Sequence, residues 1–323
     1  MRSLHIDFSH NLRESLASDE IAAVLKDPSG LLWLDLTTGD ECRAILEDVF
    51  RFHPLAIEDC FDGVVDPPKI DDYGDYLFII SQSVASLDPT GRLDLSEVDL
   101  FLGSNYVVTS SPAAIQPLEE LFERARANPQ VLKRGADFLA HSILDALVDL
   151  LLPAVEAMDE QIDDIEQRLL DHPDKSILPE ILLFKRNALR LRRSILPQRD
   201  LVNHLSRGEY SQLIRAEAQI FYRDIYDHIV RVDEMLDGLR DLADGALSSY
   251  LSAVNNRMNE VMKALSVVAS IFLPLTLIAS IFGTNLDYSP FGLSFKAGFW
   301  LMLAGMIALS AALILFFRRR GWF

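Results

Sequence analysis

Cysteine is scarce in this chain of 323 residues: Cys42 and Cys60 stand without CxxC or metal-ligand spacing. That excludes a disulfide framework and a zinc ribbon, and leaves ordinary thiols in a reducing compartment. Positive charge is short as well, with 30 Lys and Arg against 48 Asp and Glu and a formal net charge of −18. Nucleic acid is therefore excluded as a partner, because its binding rests on Lys and Arg contacts to phosphate. An acidic body instead keeps itself soluble or gathers cations around it. There is no GxxxxGK, GxGxxG or HExxH, and the seven histidines are scattered. The chain is thus not read as an enzyme, and no organic cofactor is expected. Met1 to Asn11 is polar with no apolar core segment, so no signal peptide is expected.

Ionisable side chains are missing altogether from two stretches, Ala264–Leu286 and Ala297–Phe317. Each is long enough to cross a hydrocarbon core as a helix. Arg257 and Lys263 precede the first, Arg318, Arg319 and Arg320 follow the second, and the loop between them holds only Lys296. Basic residues stay on the cytoplasmic side, so both termini are expected in the cytoplasm of a multi-pass protein of the inner or plasma membrane.

The rest of the chain changes character once. Runs rich in β-branched and aromatic residues at Leu31–Leu36, Tyr76–Val84, Val98–Leu102 and Tyr106–Thr109 read as strands, with helices at Glu41–Phe52 and around Pro54–Phe61. Together they predict an α/β domain with a mixed or parallel sheet over about residues 1–130. From Pro117 onward the period is helical. Long helices are expected at about 133–170 and 178–206 as an antiparallel hairpin, then a continuous helix from about 209 into the membrane. The fold class is α+β, in three parts: 1–130, a hairpin and stalk over 131–261, and a membrane domain over 262–323 with spans near 262–283 and 297–317.

A stalk helix of roughly 74 residues would reach about 110 Å and cannot bury itself in a monomer. Bundling with copies of itself, as a homo-oligomer among membrane lipids, is the natural solution. Met262, Ser266, Ala269, Leu273, Thr276 and Ser280 recur at heptad spacing on one stripe, with Asn259 a turn earlier, while Val267, Val268, Ile271, Ile278 and Ile281 crowd the other side. Small residues on a stripe serve close helix packing as readily as a pore. Asn285 tips the balance. It follows Gly283, where the backbone is free to leave the helix, and an amide in hydrocarbon needs a partner or water. A ring of such amides suits hydrated Mg2+, which gives up its waters reluctantly.

These residues resemble the CorA-type divalent cation transporters. The resemblance runs through His53-Pro54-Leu55-Ala56-Ile57-Glu58-Asp59, Pro68-Lys69-Ile70 and Tyr76-Leu77-Phe78-Ile79. It continues in Lys185-Arg186-Asn187, the segment Phe221 to His228, Asn259-Glu260-Val261-Met262-Lys263 and Leu273-Pro274-Leu275-Thr276. It implies a funnel-shaped homopentamer that conducts divalent cations, with Mg2+ as substrate and regulator. The filter, usually Gly-Met-Asn, would be Gly283, Thr284 and Asn285. Asn259, Met262, Leu265, Ala269, Leu273 and Thr276 would line the conduit, with Leu265 where the heptad stripe selects Ser266.

Two departures bear on ion and regulation. Thr284 replaces the usual Met, and Phe291 stands where an acid is common, so Asp287 is the loop's one carboxylate for attracting cations. Mg2+ is the first expectation, with Zn2+, Co2+ and Ni2+ as alternatives. In the family an acid matching Asp59 pairs with a stalk acid to hold regulatory Mg2+, and that stalk position is Ser248 here. Glu58 with Asp224, or Asp244, would have to substitute, and weaker feedback closure follows. The alternative outside transport is a poorly conducting membrane-anchored sensor or scaffold.

Other charged runs read as structure. Asp159, Glu160, Asp163, Asp164 and Glu166 are expected to pair across the hairpin with Lys185, Arg186, Arg190, Arg192 and Arg193. The Asp62, Asp66, Asp71, Asp72 and Asp75 group lacks EF-hand spacing and reads as solvent-facing loop carboxylates.

Overall fold

The structure, a computed structural model, describes residues 1–9, 11–37, 39–87, 93–171, 173–283 and 295–322. By its internal contacts the chain divides into two units, Met1–Leu247 and Ser248–Phe323.

The first unit is built on a seven-stranded sheet in the order β2-β1-β3-β7-β6-β5-β4. Its strands are β1 (Arg2–Ile6), β2 (Leu12–Glu14), β3 (Leu31–Thr37), β4 (Lys69–Asp72), β5 (Tyr76–Leu87), β6 (Leu93–Gly103) and β7 (Tyr106–Ser111). The four runs expected as strands are all strands; the edge strands β2 and β4, and β1 beside β2, are ones the reading did not single out. The sheet is mixed, but only β3 and β7 pair in parallel. Short links force β4, β5, β6 and β7 into an antiparallel meander, so a parallel sheet is not what forms.

Side chains alternate across each strand, and both faces are covered. Leu32, Leu34, Leu36, Phe78, Ile80, Phe101 and Val108 meet residues of α1 (Ser18–Val24), α2 (Asp40–Ala44) with its π-helical continuation Ile45–Phe50, and α3 (Pro54–Phe61). On the other face Trp33, 0% exposed, packs against Phe122 of α4 (Gln116–Ala127) with ring centroids 5.1 Å apart. His53 starts α3 by accepting the Leu55 N–H on Nδ1 at 3.2 Å, and Pro54 supplies a helix-ready φ at the first position.

The helical part is more broken than expected. α5 (Gln130–Lys133), α6 (Ala136–Val148) and α7 (Leu151–Asp171) replace a single helix over 133–170. Gly135, at φ +105°, separates the first two. Pro153 lacks the N–H that would bond to the carbonyl of Asp149, and the chain steps there between α6 and α7. α6 and α7 together are long and apolar enough to span a membrane, yet Leu139, Ala140, Ile143, Leu144 and Leu147 are buried in the first unit.

α7 packs on α8 (Ile177–Ser206) through Val155, Met158, Ile162 and Ile165 and through Ile181, Phe184, Leu191 and Ile195, all buried. The long helix α9 then runs Ala216–Phe282, 67 residues, rather than from 209. Its start is delayed because Ile214 is fully buried and Arg215 is bound to Asp137, which folds the residues after Gly208 into turns.

The expected pairing of α7 acids with α8 bases does not form. Lys185 binds Asp244, Arg190 the carbonyl of Leu93, and Arg192 binds Asp233 and Asp237. Of the acidic run, Asp164 alone makes an ion pair among the described residues, with Arg168 of its own helix. The apolar stripe of α7 is buried, and Asp159, Glu160, Asp163 and Asp164 are left exposed. The Asp62–Asp75 group is not all loop either, since Asp71 and Asp72 lie in β4.

In the second unit are the end of α9 and α10 (Phe295–Arg319), both of a length and apolarity that suit a membrane span.

Candidate functional site

Three places are candidates for functional chemistry. On α9 the stripe Asn259, Met262, Leu265, Ala269, Leu273, Thr276 and Ser280 is exposed in the single chain; Leu265 is 63% and Leu273 69% exposed. Ser266 is exposed too. Val267 is buried, and Ile271, Pro274, Leu275 and Ile278 are half-buried, whereas Val268 and Ile281 are open. Thr276 Oγ1 donates to the Phe272 carbonyl at 2.8 Å, which satisfies the hydroxyl inside the helix. α9 continues through Pro274 to Phe282, and Gly283 N donates to the Ala279 carbonyl at 2.9 Å. Thr284, Asn285 and Asp287 lie outside the described residues. So much exposed apolar surface requires lipid or a partner.

The second place is α3. Glu58 is exposed, and Asp59 is half-buried and held by Lys69 Nζ at 2.7 Å, which also reaches Asp71 at 3.1 Å. Burial alone would lower the Lys69 ammonium, but the hydrogen bonds to Asp59 and Asp71 outweigh it and raise it. Asp224 is exposed on α9, and Asp244 is bound to Lys185. Twenty residues of one helix separate Asp224 from Asp244, about 30 Å, so one ion cannot use both from the same chain.

The third place was not singled out from the sequence. Asp145 of α6, Asp149 at its end and His228 of α9 bring ligand atoms within 4.8 Å of one another. Burial raises the Asp145 carboxyl, Asp149 adds to this, and His141 and His228 oppose it. Burial lowers the neighbouring His141, and Asp145 and Asp224 pull it back up. The signal was present as two acids four apart on an apolar helix, but only the packing of α6 and α9 supplies the imidazole. Two carboxylates and one imidazole form an oxygen and nitrogen donor set for a divalent cation.

Comparison with known proteins bears on the family and the fold. The family described as CorA-like Mg2+ transporter protein matches residues 28–319. The cobalt/magnesium transport protein CorA of Thermotoga maritima is 32% identical over 314 residues, 96% of this chain and 89% of that protein. The zinc transport protein ZntB of Pectobacterium carotovorum is 23% identical and covers 91% of this chain and 85% of its own length. The complete structure of the CorA magnesium transporter from Methanocaldococcus jannaschii superposes with a TM-score of 0.83 at 22% identity, covering 99% of this chain and 98% of that one, which establishes the same fold. With the fold, two apolar C-terminal helices and a match along nearly its whole length, this chain belongs to the CorA-like family of divalent metal cation transporters of the membrane.

Proposed function

We propose that this chain forms a homopentameric pore for passive influx of divalent cations, Mg2+ first among them. The observation that carries this reading is the exposed stripe of α9, from Asn259 to Ser280, leading to Gly283. Around a symmetry axis it becomes the wall of the conduit. Gly283, Thr284 and Asn285 then form the filter, and neutral amide oxygens hold the ion's water shell without stripping it. Met262 and Leu273 form apolar rings that close the path by dewetting. Asp287 draws cations to the outer mouth, and both termini lie in the cytoplasm. The three-part division at 1–130, 131–261 and 262–323 assigns regulation to the first two parts and conduction to the third.

Intracellular Mg2+ is the regulator, acting at Asp59, Glu58, Asp224 and Asp244 between neighbouring copies. Closure is weaker than where an acid occupies position 248. Zinc is the second reading, and the imidazole of His228 beside Asp145 and Asp149 favours it, because nitrogen donors suit Zn2+, Co2+ and Ni2+ better than Mg2+.

Mg2+ uptake into liposomes, wild type against Asn285→Ala, with Zn2+ and Co2+ as competitors, tests both readings. Flux that changes sharply in the variant supports the pore and its filter. Competition in which Zn2+ displaces Mg2+ at lower concentration favours the zinc reading. A folded oligomer with internal Mg2+ removed that passes no divalent ion points to a sensor or scaffold.

A further inference from the structure

β6 turns two carboxylates into the interior of the first unit. Glu97 and Asp99 lie on the face of β6 that also carries Phe101, beneath α3. Glu97 is 4% exposed and Asp99 2%. Their side chains are within hydrogen-bond reach of each other, and Cys60, whose thiol donates to the Ala56 carbonyl at 3.2 Å, lies beside Asp99. Glu97 also accepts the backbone N–H of Asp66. Asp99 Oδ1 has no hydrogen-bond partner among the described residues. Two ionised carboxylates are acceptors only, so this contact closes when one of them carries a proton.

Among the described residues, the groups that act on the pair are acids and neutral side chains. From α3 the Asp59 carboxylate and the Cys60 thiol face the pair, and from the segment before β4 the Asp66 carboxylate. Lys69 of β4 is committed to Asp59 and Asp71. Gln82, opposite Glu97 on β5, is neutral and donates to the Asp66 carbonyl at 2.6 Å. Ser110, opposite Asp99 on β7, brings only a hydroxyl. Burial, the first cause in both, and the neighbouring acids raise both carboxyls well above their ordinary range.

We propose that Glu97 and Asp99 share a single proton at neutral pH, and that its loss loosens α3 and the Asp62–Pro68 segment from the sheet. The protein then carries a proton-sensitive element beneath α3, the helix that bears Glu58 and Asp59. With the proton in place, one carboxyl donates to the other and α3 packs over them. Without it, two negative charges at hydrogen-bond distance repel, and the relief is hydration, which needs α3 and the Asp66 backbone bond to give way.

The chain's cysteine count makes this measurable. Cys42→Ala leaves Cys60 as the one thiol of the full-length protein. Its alkylation rate in detergent reports how often α3 leaves the sheet, since the thiol is buried. Thiolate formation alone raises the rate by about tenfold per pH unit up to a pKa of about 8.5 and then levels off, as an unfolded control will show. Between about pH 6 and about pH 9 the folded protein should climb more steeply than that control, and Glu97→Gln should remove the excess. A slope equal to the control's, or an excess that survives both Glu97→Gln and Asp99→Asn, overturns the proposal. Infrared spectroscopy of the unsubstituted protein is an arm that needs no variant. A protonated-carboxyl band present near neutral pH and lost in alkali is expected, and its absence at neutral pH overturns the proposal.

Discussion

Arg215, at the foot of α9, clasps the buried Asp137 of α6 with three donors. Its backbone N–H and Nε reach Oδ2 at 3.1 and 2.8 Å, and its Nη2 reaches Oδ1 at 2.5 Å. Asp137 is 3% exposed, and its carbonyl takes the Tyr222 hydroxyl at 2.8 Å. Carboxylate and carbonyl of this one residue thereby tie the first turn of α6 to the start of the long helix.

Arg215→Ala should cost about 3 kcal/mol of stability, because it strands a buried carboxylate rather than merely deleting an ion pair. Chemical denaturation of the full-length protein in detergent reads this. A loss below about 1 kcal/mol would mean that water reaches Asp137 freely.

The Glu97 carboxyl is pushed up to about 8 from an ordinary 4.5. The folded state therefore keeps a proton that the unfolded chain releases, so this group's stabilising contribution is complete below 4.5 and is lost as pH rises through about 8. Wild type and Glu97→Gln should have similar denaturation midpoints in acid, and the variant should gain steadily on wild type up to about pH 8.

Lys69 competes with any cation for Asp59. Lys69→Met should lower the internal Mg2+ concentration that half-closes the flux, by up to roughly fivefold, since a partly exposed ion pair is worth about 1 kcal/mol or less. Liposome flux at graded internal Mg2+ measures it, and an unchanged midpoint argues against Asp59 as a regulatory ligand.

His228→Ala should weaken Zn2+ binding by roughly tenfold while leaving Mg2+ binding nearly unchanged, because imidazole selects the transition ions. Calorimetric titration of the detergent-solubilised protein separates the two. Equal losses for both ions would mean that Asp145 and Asp149 do not act with His228.

Leu273→Ser should raise flux at high internal Mg2+, when the pore is closed, by wetting an apolar ring. Flux as low as wild type in that state places the gate elsewhere.

The legible parts of the fold are those where one local pattern suffices. Tyr76–Val84 and Tyr106–Thr109 announce strands by β-branched and aromatic runs, Pro54 opens α3, and the uncharged stretch after Ala264 announces its span. The register at β3 and β7 and the turns after Gly208 depend on neighbours distant in sequence, while the step before Pro153 has a local cause that the reading passed over. The candidate site divides in the same way. The stripe of α9 follows from helical spacing, but the partners of Lys185 and Arg192 do not, because which face of α8 meets α9 is decided by packing.

By itself the sequence determined a membrane-spanning chain with an acidic body, a very long helix and a polar-faced stripe on it, because charge and periodicity are properties of neighbours along the chain. Only the tertiary structure decided that Asp145, Asp149 and His228 gather, that Asp59 is held by Lys69, and that Glu97 and Asp99 meet in the dark of the core. A carboxylate's chemistry is set by what burial removes and what packing brings beside it, and neither is written in its own segment of sequence.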